Sequence, residues 1–186
     1  MAAAAETRSL GARIRAARAQ GVDRLDAELL CAFVLDADRS RVIARPDFVP
    51  DDSTGARLDA LLAARARGMP YAQLTGRQAF HALTLRVTPD VLIPRPDTET
   101  LVDAVLERRD GAPRTVLDLG TGSGAIALAL AIARPAWTLL ATDRSAAALR
   151  VAEDNMHAHG VAGRVQTLQS DWYLGIGGEG GGGEGL

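Results

Sequence analysis

The sequence predicts an α/β protein with two regions, a helical N-terminal region and a C-terminal region in which strands and helices alternate. Up to about residue 76, apolar residues recur at three- and four-residue spacing, which is typical of amphipathic helices. After residue 112, short apolar runs are separated by helical segments, as in a parallel sheet covered on both faces. Three glycines at alternate positions, Gly120, Gly122 and Gly124, mark the turn between the first of these strands and its helix.

Residues 1–79 are interpreted as a helical bundle. The helical pattern is clearest in SLGARIRAARAQ, DAELLCAFVL and GARLDALLAARARG, with breaks at Gly21, Asp51–Asp52 and residues 68–70. We expect the arginines of these helices to form a solvated outer face, and a face that docks a partner is the alternative. Cys31 is the only cysteine, so no intrachain disulfide is possible, and its apolar surroundings predict an inert buried thiol.

Residues 80–112 are interpreted as a hairpin and a linker helix. The segment FHALTLRVTPDVLIP alternates apolar and polar residues around a proline turn, which predicts a hairpin or an extended connector. In the segment that follows, Pro94 and Pro96 favour extended backbone, and Asp97 or Thr98 is the expected N-cap of a helix.

Residues 113–173 are interpreted as the sheet region. The predicted strands are Thr115–Leu119, Thr138–Ala141 and Arg164–Leu168, and the predicted helices are Ala125–Ala133 and Ala146–Ala158. Ser145 is the expected N-cap of the second helix. The final segment, residues 174–186, contains eight of the 19 glycines and is expected to be disordered, because it cannot bury enough surface to offset its ordering entropy.

The glycine turn lies between a strand and a helix, as nucleotide-binding turns do. Glycines let a ligand approach the backbone closely, and the N–H groups at the start of the helix face that ligand. We expect five residues of the turn to bind it: Gly120, Thr121, Gly122, Ser123 and Gly124. The dinucleotide pattern GxGxxG/A also fits, so the glycines alone leave NAD open, whereas a P-loop is excluded because no Gly-Lys-Ser/Thr follows.

Two acidic residues and a tryptophan narrow the choice of ligand. Asp118, two residues before the first glycine, would repel a pyrophosphate but suits a cationic amine, such as the methionyl end of S-adenosylmethionine (SAM). Asp143, at the end of the next strand, is expected to accept the ribose hydroxyls that SAM and NAD both carry. Trp172 is the candidate to stack on adenine, with Asp171 nearby, and a place in the core is the alternative.

Several segments resemble the HemK/PrmC family in residues and in order: DAELL, RGMPYAQLTG, LIPRPDTETLVD, VLDLGTGSGAIALALA, ATDRS and QSDW. The resemblance runs from about residue 25 to Tyr173. It implies a helical N-terminal domain that helps to hold a protein substrate, followed by an incomplete Rossmann-like class I SAM-dependent methyltransferase domain. It also implies that SAM is bound at Gly120–Gly124, Asp143 and Trp172.

The reaction that the resemblance implies is methyl transfer from SAM to the side-chain amide nitrogen of the glutamine in the Gly-Gly-Gln loop of peptide chain release factors. In this family an Asn-Pro-Pro-Tyr motif after the fourth strand holds that amide. The motif does not occur in this sequence, so no catalytic residue is assigned, and Asn155, the only asparagine, is interpreted as a helix-surface residue. We therefore expect a truncated or frameshifted member whose strand Thr115–Leu119 has an open edge.

Other classes stay open: a non-catalytic remnant, a NAD(P) oxidoreductase, or a related methyltransferase with another protein or nucleic acid substrate. A net charge of −2 disfavours a nucleic acid partner. No segment reaches the roughly 18–20 apolar residues of a membrane span, and the N-terminus lacks the pattern of a signal peptide, so we expect a cytoplasmic protein. A monomer is also expected.

Two further sets of polar residues have no assigned role. The spacing of the three histidines, His81, His157 and His159, does not suggest a metal site. Arg95 and Glu99 lie in the family motif next to the glycine turn, and a role in binding is weighed equally with loop stiffening and helix capping.

Overall fold

The computed structural model describes residues 8–174 and residue 176. The chain divides after Thr75 into two compact units. The first unit is entirely helical among its described residues, and the second contains two small sheets with their helices. The glycine-rich segment predicted for residues 174–186 lies outside the described residues, apart from Leu174 and Ile176. Within the described ranges, no helix is both long enough and apolar enough to cross a bilayer.

The first unit contains five helices: α1 (Leu10–Ala19), α2 (Arg24–Val34), α3 (Arg39–Ala44), α4 (Asp52–Ala66) and α5 (Tyr71–Thr75). Side-chain caps begin three of them, because Ser9, Asp23 and Asp51 each accept a backbone N–H of the first turn. Their apolar faces form two adjoining clusters of buried side chains. Ile14 packs against both clusters, so α1 joins them into one core.

Most arginines of the described helices in this unit are exposed, as expected, and Arg13 is a buried exception. The side chain of Arg13 is only 9 % exposed and its Nε lies 2.8 Å from Asp59 Oδ1 on α4. The cause is Gly55, since a Cβ at that position would come within 2.6 Å of Arg13 Nη2. The absence of a side chain on α4 therefore makes the space that the guanidinium fills.

Two other buried groups in this unit have contrasting environments. Glu28 on α2 is buried, and its carboxylate accepts hydrogen bonds from Arg24 Nε at 2.6 Å and Arg39 Nε at 2.8 Å. The hydrogen bond from Arg24 lowers the pKa of Glu28. Cys31 is fully buried, and desolvation raises the pKa of its thiol to about 11. The predicted burial of Cys31 is confirmed, and its raised pKa disfavours the reactive thiolate.

The second unit opens with a hairpin and a helix. Strands β1 (Arg77–Phe80) and β2 (Leu83–Arg86) pair in antiparallel fashion, and β1 begins three residues before the position 80 expected from the sequence. Helix α6 spans Pro96–Arg108. Its N-cap is Arg95, which makes no capping hydrogen bond through its side chain, so the expected cap at Asp97 or Thr98 is wrong. Pro96 starts the helix earlier, because its fixed φ suits the first helical position.

A parallel sheet and two helices complete the second unit: β3 (Arg114–Leu119), α7 (Ala125–Ala133), β4 (Trp137–Asp143), α8 (Ala146–Ala158) and β5 (Val165–Gln169). The strand order is β3-β4-β5, with both pairs parallel. The predicted α/β alternation is confirmed, and both predicted helices match residue by residue. Among the described residues, no strand pairs with the far edge of β3.

A single apolar core fixes the sheet and its helices against each other. It contains the fully buried side chains of Phe80, Leu128, Trp137 and Met156, which come from the hairpin, α7, β4 and α8. The indole Nε1 of Trp137 donates to the carbonyl oxygen of Ala112 at 2.9 Å, so this large side chain is buried without an unpaired donor. The core thereby fixes the positions of β3 and β4. The candidate site lies at the carboxyl ends of these strands.

Candidate functional site

The candidate site lies where the three parallel strands end. The turn Gly120–Gly124 follows β3, Asp143 is the last residue of β4, and residues 170–172 follow β5. Because the strands are parallel and adjacent, these three segments meet at one edge of the sheet. Side chains that are 50 residues apart in sequence therefore share one surface.

The three glycines of the turn serve different structural purposes. All three have positive φ, +72° at Gly120, +56° at Gly122 and +80° at Gly124. A Cβ at Gly120 or Gly122 would meet no atom within 4 Å, so open space lies beside the backbone there. A Cβ at Gly124 would lie 3.2 Å from Ala152 Cβ, so this glycine allows α7 to start close to α8. The first two positions suit a ligand and the third serves packing.

Hydrogen bonds to neighbouring strands hold the turn in shape. The N–H of Thr121 donates to Thr142 O at 2.8 Å, and the N–H of Gly124 donates back to Thr121 O at 2.9 Å. The N–H of Gly122 donates to Asp143 Oδ2 at 3.0 Å. The turn is thus fixed to β4 at two points.

Asp143 organises this edge of the sheet. One carboxylate oxygen accepts from Gly122 N–H and the other accepts from Ser145 N–H at 2.9 Å. Its backbone carbonyl accepts the N–H of Ser170 at 3.0 Å, which ties the segment after β5 to the same residue. Each carboxylate oxygen keeps a second lone pair, so the group can still accept hydroxyl donors from a ligand.

Asp118 and Thr121 lie beneath the turn and are both buried. Thr121 Oγ1 donates to Asp118 Oδ2 at 2.7 Å. Burial raises the pKa of Asp118, although the hydrogen bond from Thr121 acts in the opposite direction. A cation beside this carboxyl would favour its ionised form, so Asp118 is suited to a cationic group more than to an anion.

A cavity of about 300 Å³ opens between these segments. It is lined by Gly120, Asp143, Arg144, Ser170, Asp171 and Trp172. Trp172 is 69 % exposed, so the alternative that places its indole in the core is wrong. The backbone of Trp172 has φ +52°, an uncommon value for a large residue, and Ser170 Oγ donates to its carbonyl oxygen at 2.8 Å.

The sequence-derived site residues therefore fall into two groups. Gly120, Asp143 and Trp172 line the cavity directly. The others do not line it: Asp118 is buried beneath the turn, and Thr121 and Ser123 are turn residues that are themselves buried. Gly122 has open space beside it, and Gly124 packs against α8. Arg95 is the N-cap of α6 and Glu99 lies in its first turn. Among residues 8–174 and 176, no group of three or more His, Cys, Asp or Glu side chains has the geometry of a metal site.

The surface position predicted for Asn155 is wrong. The residue is 2 % exposed rather than at the helix surface, and its carboxamide bonds to the backbone of Arg86 and Ser123. The helical spacing indicates burial, since Asn155 follows Ala148 and Ala152 at intervals of four and three on the buried face of α8. Its polar character alone suggested exposure.

Comparison with known proteins identifies both units. Residues 9–76 match the PrmC N-terminal domain, and residues 96–179 match the methyltransferase small domain. The chain is similar to proteins of the PrmC family. The resemblance seen in the sequence is confirmed, and the parallel sheet of the second unit is the part of the family's methyltransferase fold that the chain carries.

Curated relatives that match this chain carry the name release factor glutamine methyltransferase. The relative from Burkholderia pseudomallei is 47 % identical over 164 residues, which cover 86 % of this chain and 58 % of the relative. The relative from Coxiella burnetii is 48 % identical over 138 residues, 73 % of this chain and 50 % of its own length. The relative from Escherichia coli is 42 % identical over 156 residues, 84 % and 56 % respectively. The chain thus spans between half and three-fifths of the length of these relatives.

Proposed function

We propose that this protein binds SAM at the carboxyl edge of its parallel sheet and serves as a release factor glutamine methyltransferase. The observation that carries the proposal is the cavity between the glycine turn, the Asp143 carboxylate and the exposed indole of Trp172. A chain similar to proteins of the PrmC family presents these three groups on one surface. The proposed methyl acceptor is the side-chain amide nitrogen of the glutamine in the Gly-Gly-Gln loop of release factors.

The residues of the cavity fit the parts of SAM one by one. The Asp143 carboxylate, already oriented by two backbone N–H groups, is suited to accept ribose hydroxyls. The exposed indole of Trp172 offers a flat apolar face for adenine. The open space beside Gly120 and Gly122 admits the methionyl portion, and Asp118 beneath the turn favours its positive charge.

The same electrostatics disfavour a dinucleotide. A pyrophosphate in the cavity would face the carboxylates of Asp143 and Asp171, against one guanidinium, that of Arg144, among the lining residues. The Asp118 carboxyl, buried beneath the turn, adds to the repulsion. Repulsion between like charges in a partly buried site is stronger than in water. A sulfonium or ammonium group gains from the same carboxylates. This contrast supports SAM over NAD(P) for this chain.

Bound SAM would supply an electrophilic methyl group, leaving S-adenosylhomocysteine as the bond from sulfur to methyl breaks. The amide nitrogen that accepts the methyl group would release its proton to solvent. An amide is a poor nucleophile, so orientation and exclusion of water must provide most of the rate enhancement. The sequence contains no Asn-Pro-Pro-Tyr, so its residues provide no assigned holder for the substrate amide. SAM binding is therefore argued from this chain's residues, and methyl transfer from its family.

The proposed partner is a release factor, and the proposed docking element is the helical first unit. The match of residues 9–76 to the PrmC N-terminal domain supports that assignment. Release factors act on the ribosome, so a cytoplasmic location belongs to the same proposal. A monomer is also proposed, with the release factor as the protein that it contacts.

Calorimetric titration of SAM into the full chain tests the proposal. We expect saturable binding that Asp143→Ala abolishes and that Asp143→Asn weakens, because Asn retains one acceptor oxygen but no charge. NADH under the same conditions should not bind. Binding of NADH without SAM, or SAM binding that is indifferent to Asp143, would overturn the cofactor assignment. Transfer of a radiolabelled methyl group to a purified release factor tests the family reaction separately.

A further inference from the structure

The buried carboxamide of Asn155 makes three hydrogen bonds to backbone groups. Its Oδ1 accepts the backbone N–H of Arg86 at 2.7 Å. Its Nδ2 donates to Arg86 O at 3.0 Å and to Ser123 O at 2.9 Å. Both amide hydrogens are thus committed to carbonyl oxygens, and the whole residue is 2 % exposed.

The contact with Arg86 resembles the pairing of one strand with another. The carboxamide meets both the N–H and the C=O of a single residue of β2, as a neighbouring strand does. Asn155 therefore occupies the free edge of β2 at Arg86. The hairpin begins two residues after Thr75, where the helical unit ends, so this is the first strand pair of the second unit.

The contact with Ser123 acts on the glycine turn. The carbonyl of Ser123 and the N–H of Gly124 belong to one planar peptide group, so fixing the oxygen fixes the direction of that N–H. This N–H closes the turn on Thr121 O at 2.9 Å. Hydrogen bonds from β4 hold the turn at Thr121 and Gly122, and Asn155 holds it from the side of α8.

Neighbouring polar contacts between α8 and β2 stop short of the turn. Asp154 pairs with the guanidinium of Arg86, and His159 Nε2 lies 3.0 Å from Thr84 O. These contacts join the hairpin to the helix, and both are exposed at the surface. Asn155 also bonds to the hairpin, at Arg86, and in addition it bonds to Ser123 in the turn. Asp154 is therefore a control that separates attachment of the hairpin from control of the turn.

We propose that Asn155 is a positioning residue for the SAM site. Its hydrogen bonds to the backbone of Arg86 in β2 fix its side chain, and that side chain holds the Ser123–Gly124 peptide in the orientation that binds SAM. The inference rests on the proposed function, because SAM is the ligand proposed to bind at the turn. No other side chain of this size offers two donors and an acceptor from one planar group. Aspartate would place an acceptor against two carbonyl oxygens.

The test compares Asn155→Ala and Asn155→Asp with Asp154→Ala in the full chain. SAM affinity is measured by calorimetry at a temperature where circular dichroism shows all three variants folded. Asn155→Ala removes all three hydrogen bonds of the carboxamide and Asn155→Asp removes the two that Nδ2 donates. Both variants lose the bond to Ser123 O at the turn, so SAM binding should weaken about tenfold in each. Asp154→Ala should bind SAM like the parent chain, because its contact is at the surface and does not reach the turn.

Amide hydrogen exchange separates positioning from a loss of overall stability. In Asn155→Ala the N–H of Gly124 should exchange faster, while the N–H of Leu139, bonded to Arg164 O in the sheet, should keep its protection. Equal acceleration at both amides would assign Asn155 a purely structural role and overturn the inference. A folded Asn155→Ala variant with parental SAM affinity would overturn it as well.

The parent chain itself allows a measurement that needs no variant. Asn155 is the only asparagine, so selective ¹⁵N labelling of asparagine side chains yields one pair of amide proton signals. We expect both protons to be protected from exchange and to shift when SAM is added. Rapid exchange would refute the geometry. If the parent chain binds no SAM, the proposed function fails, and the exchange of Gly124 still decides whether Asn155 fixes the turn.

Discussion

Replacing glycines of the turn with alanine separates packing from ligand access, and Gly124→Ala is the informative change. Alanine at φ +80° costs about 1–2 kcal/mol, because its Cβ approaches the following carbonyl oxygen. The same Cβ would lie 3.2 Å from Ala152 Cβ and 3.3 Å from Ala152 Cα, and the second of these belongs to the backbone of α8. Overpacking of this kind costs about 1–3 kcal/mol.

The two contributions together predict that Gly124→Ala loses about 2–5 kcal/mol of unfolding free energy. The matched control is Gly122→Ala. Its φ is +56° and its Cβ would meet nothing within 4 Å, so only the backbone cost of about 1–2 kcal/mol applies. SAM affinity should fall more in Gly122→Ala than in Gly124→Ala, because the Cβ at position 122 enters the open space proposed for the ligand.

Urea unfolding followed by tryptophan emission measures the difference. The only tryptophans, Trp137 and Trp172, lie in the second unit, so the emission reports on the unit that contains the turn. Equal midpoints for the two variants would refute the assignment of Gly124 to packing. Parental SAM affinity in a folded Gly122→Ala variant would refute the assignment of Gly122 to the ligand.

Three further results are expected. Trp172→Phe should remove most of the fluorescence change caused by SAM, because Trp172 is exposed at the cavity while Trp137 is buried, and an unchanged response would contradict the stacking role. SAM affinity should increase as pH rises through the raised pKa of Asp118, since the ionised carboxyl favours a cation, and Asp118→Asn should remove this dependence. The Glu28 pKa is lowered, so its contribution to stability is present above its unfolded pKa and is lost as pH falls through the folded pKa; Glu28→Gln should flatten that acid-side loss in urea titrations.

The sequence predicted the elements of the second unit well because strong local features mark their ends. Helix α7 is apolar at every position and is followed by Pro135, and α8 begins at Ser145, whose hydroxyl accepts the N–H of Ala148 at 3.2 Å. The predicted strand is one residue short for β3 and three residues short for β4, and for β5 it has the right length but begins one residue early. Trp137 and Thr142 belong to β4 through its pairing with β3 and β5, which a local pattern does not contain.

The residues that were placed wrongly are polar groups whose partners lie far away in sequence. Arg13 pairs with Asp59, 46 residues later, in the space left by Gly55. Asn155 pairs with Arg86, 69 residues earlier. Helical periodicity assigns a face to each residue, but it does not reveal whether that face meets water or a matching polar group. Buried polar residues are retained only where such partners exist, so their burial follows from tertiary structure alone.

The glycine turn is held in one shape by groups that do not depend on a ligand. Thr142 O fixes the N–H of Thr121, Asp143 fixes the N–H of Gly122, and Asn155 fixes the carbonyl of Ser123. Three successive residues are thus anchored to two different elements, β4 and α8. A turn fixed in this way loses little further conformational entropy when a ligand binds, which favours affinity. These hydrogen bonds therefore fix the shape of the turn before the proposed ligand binds.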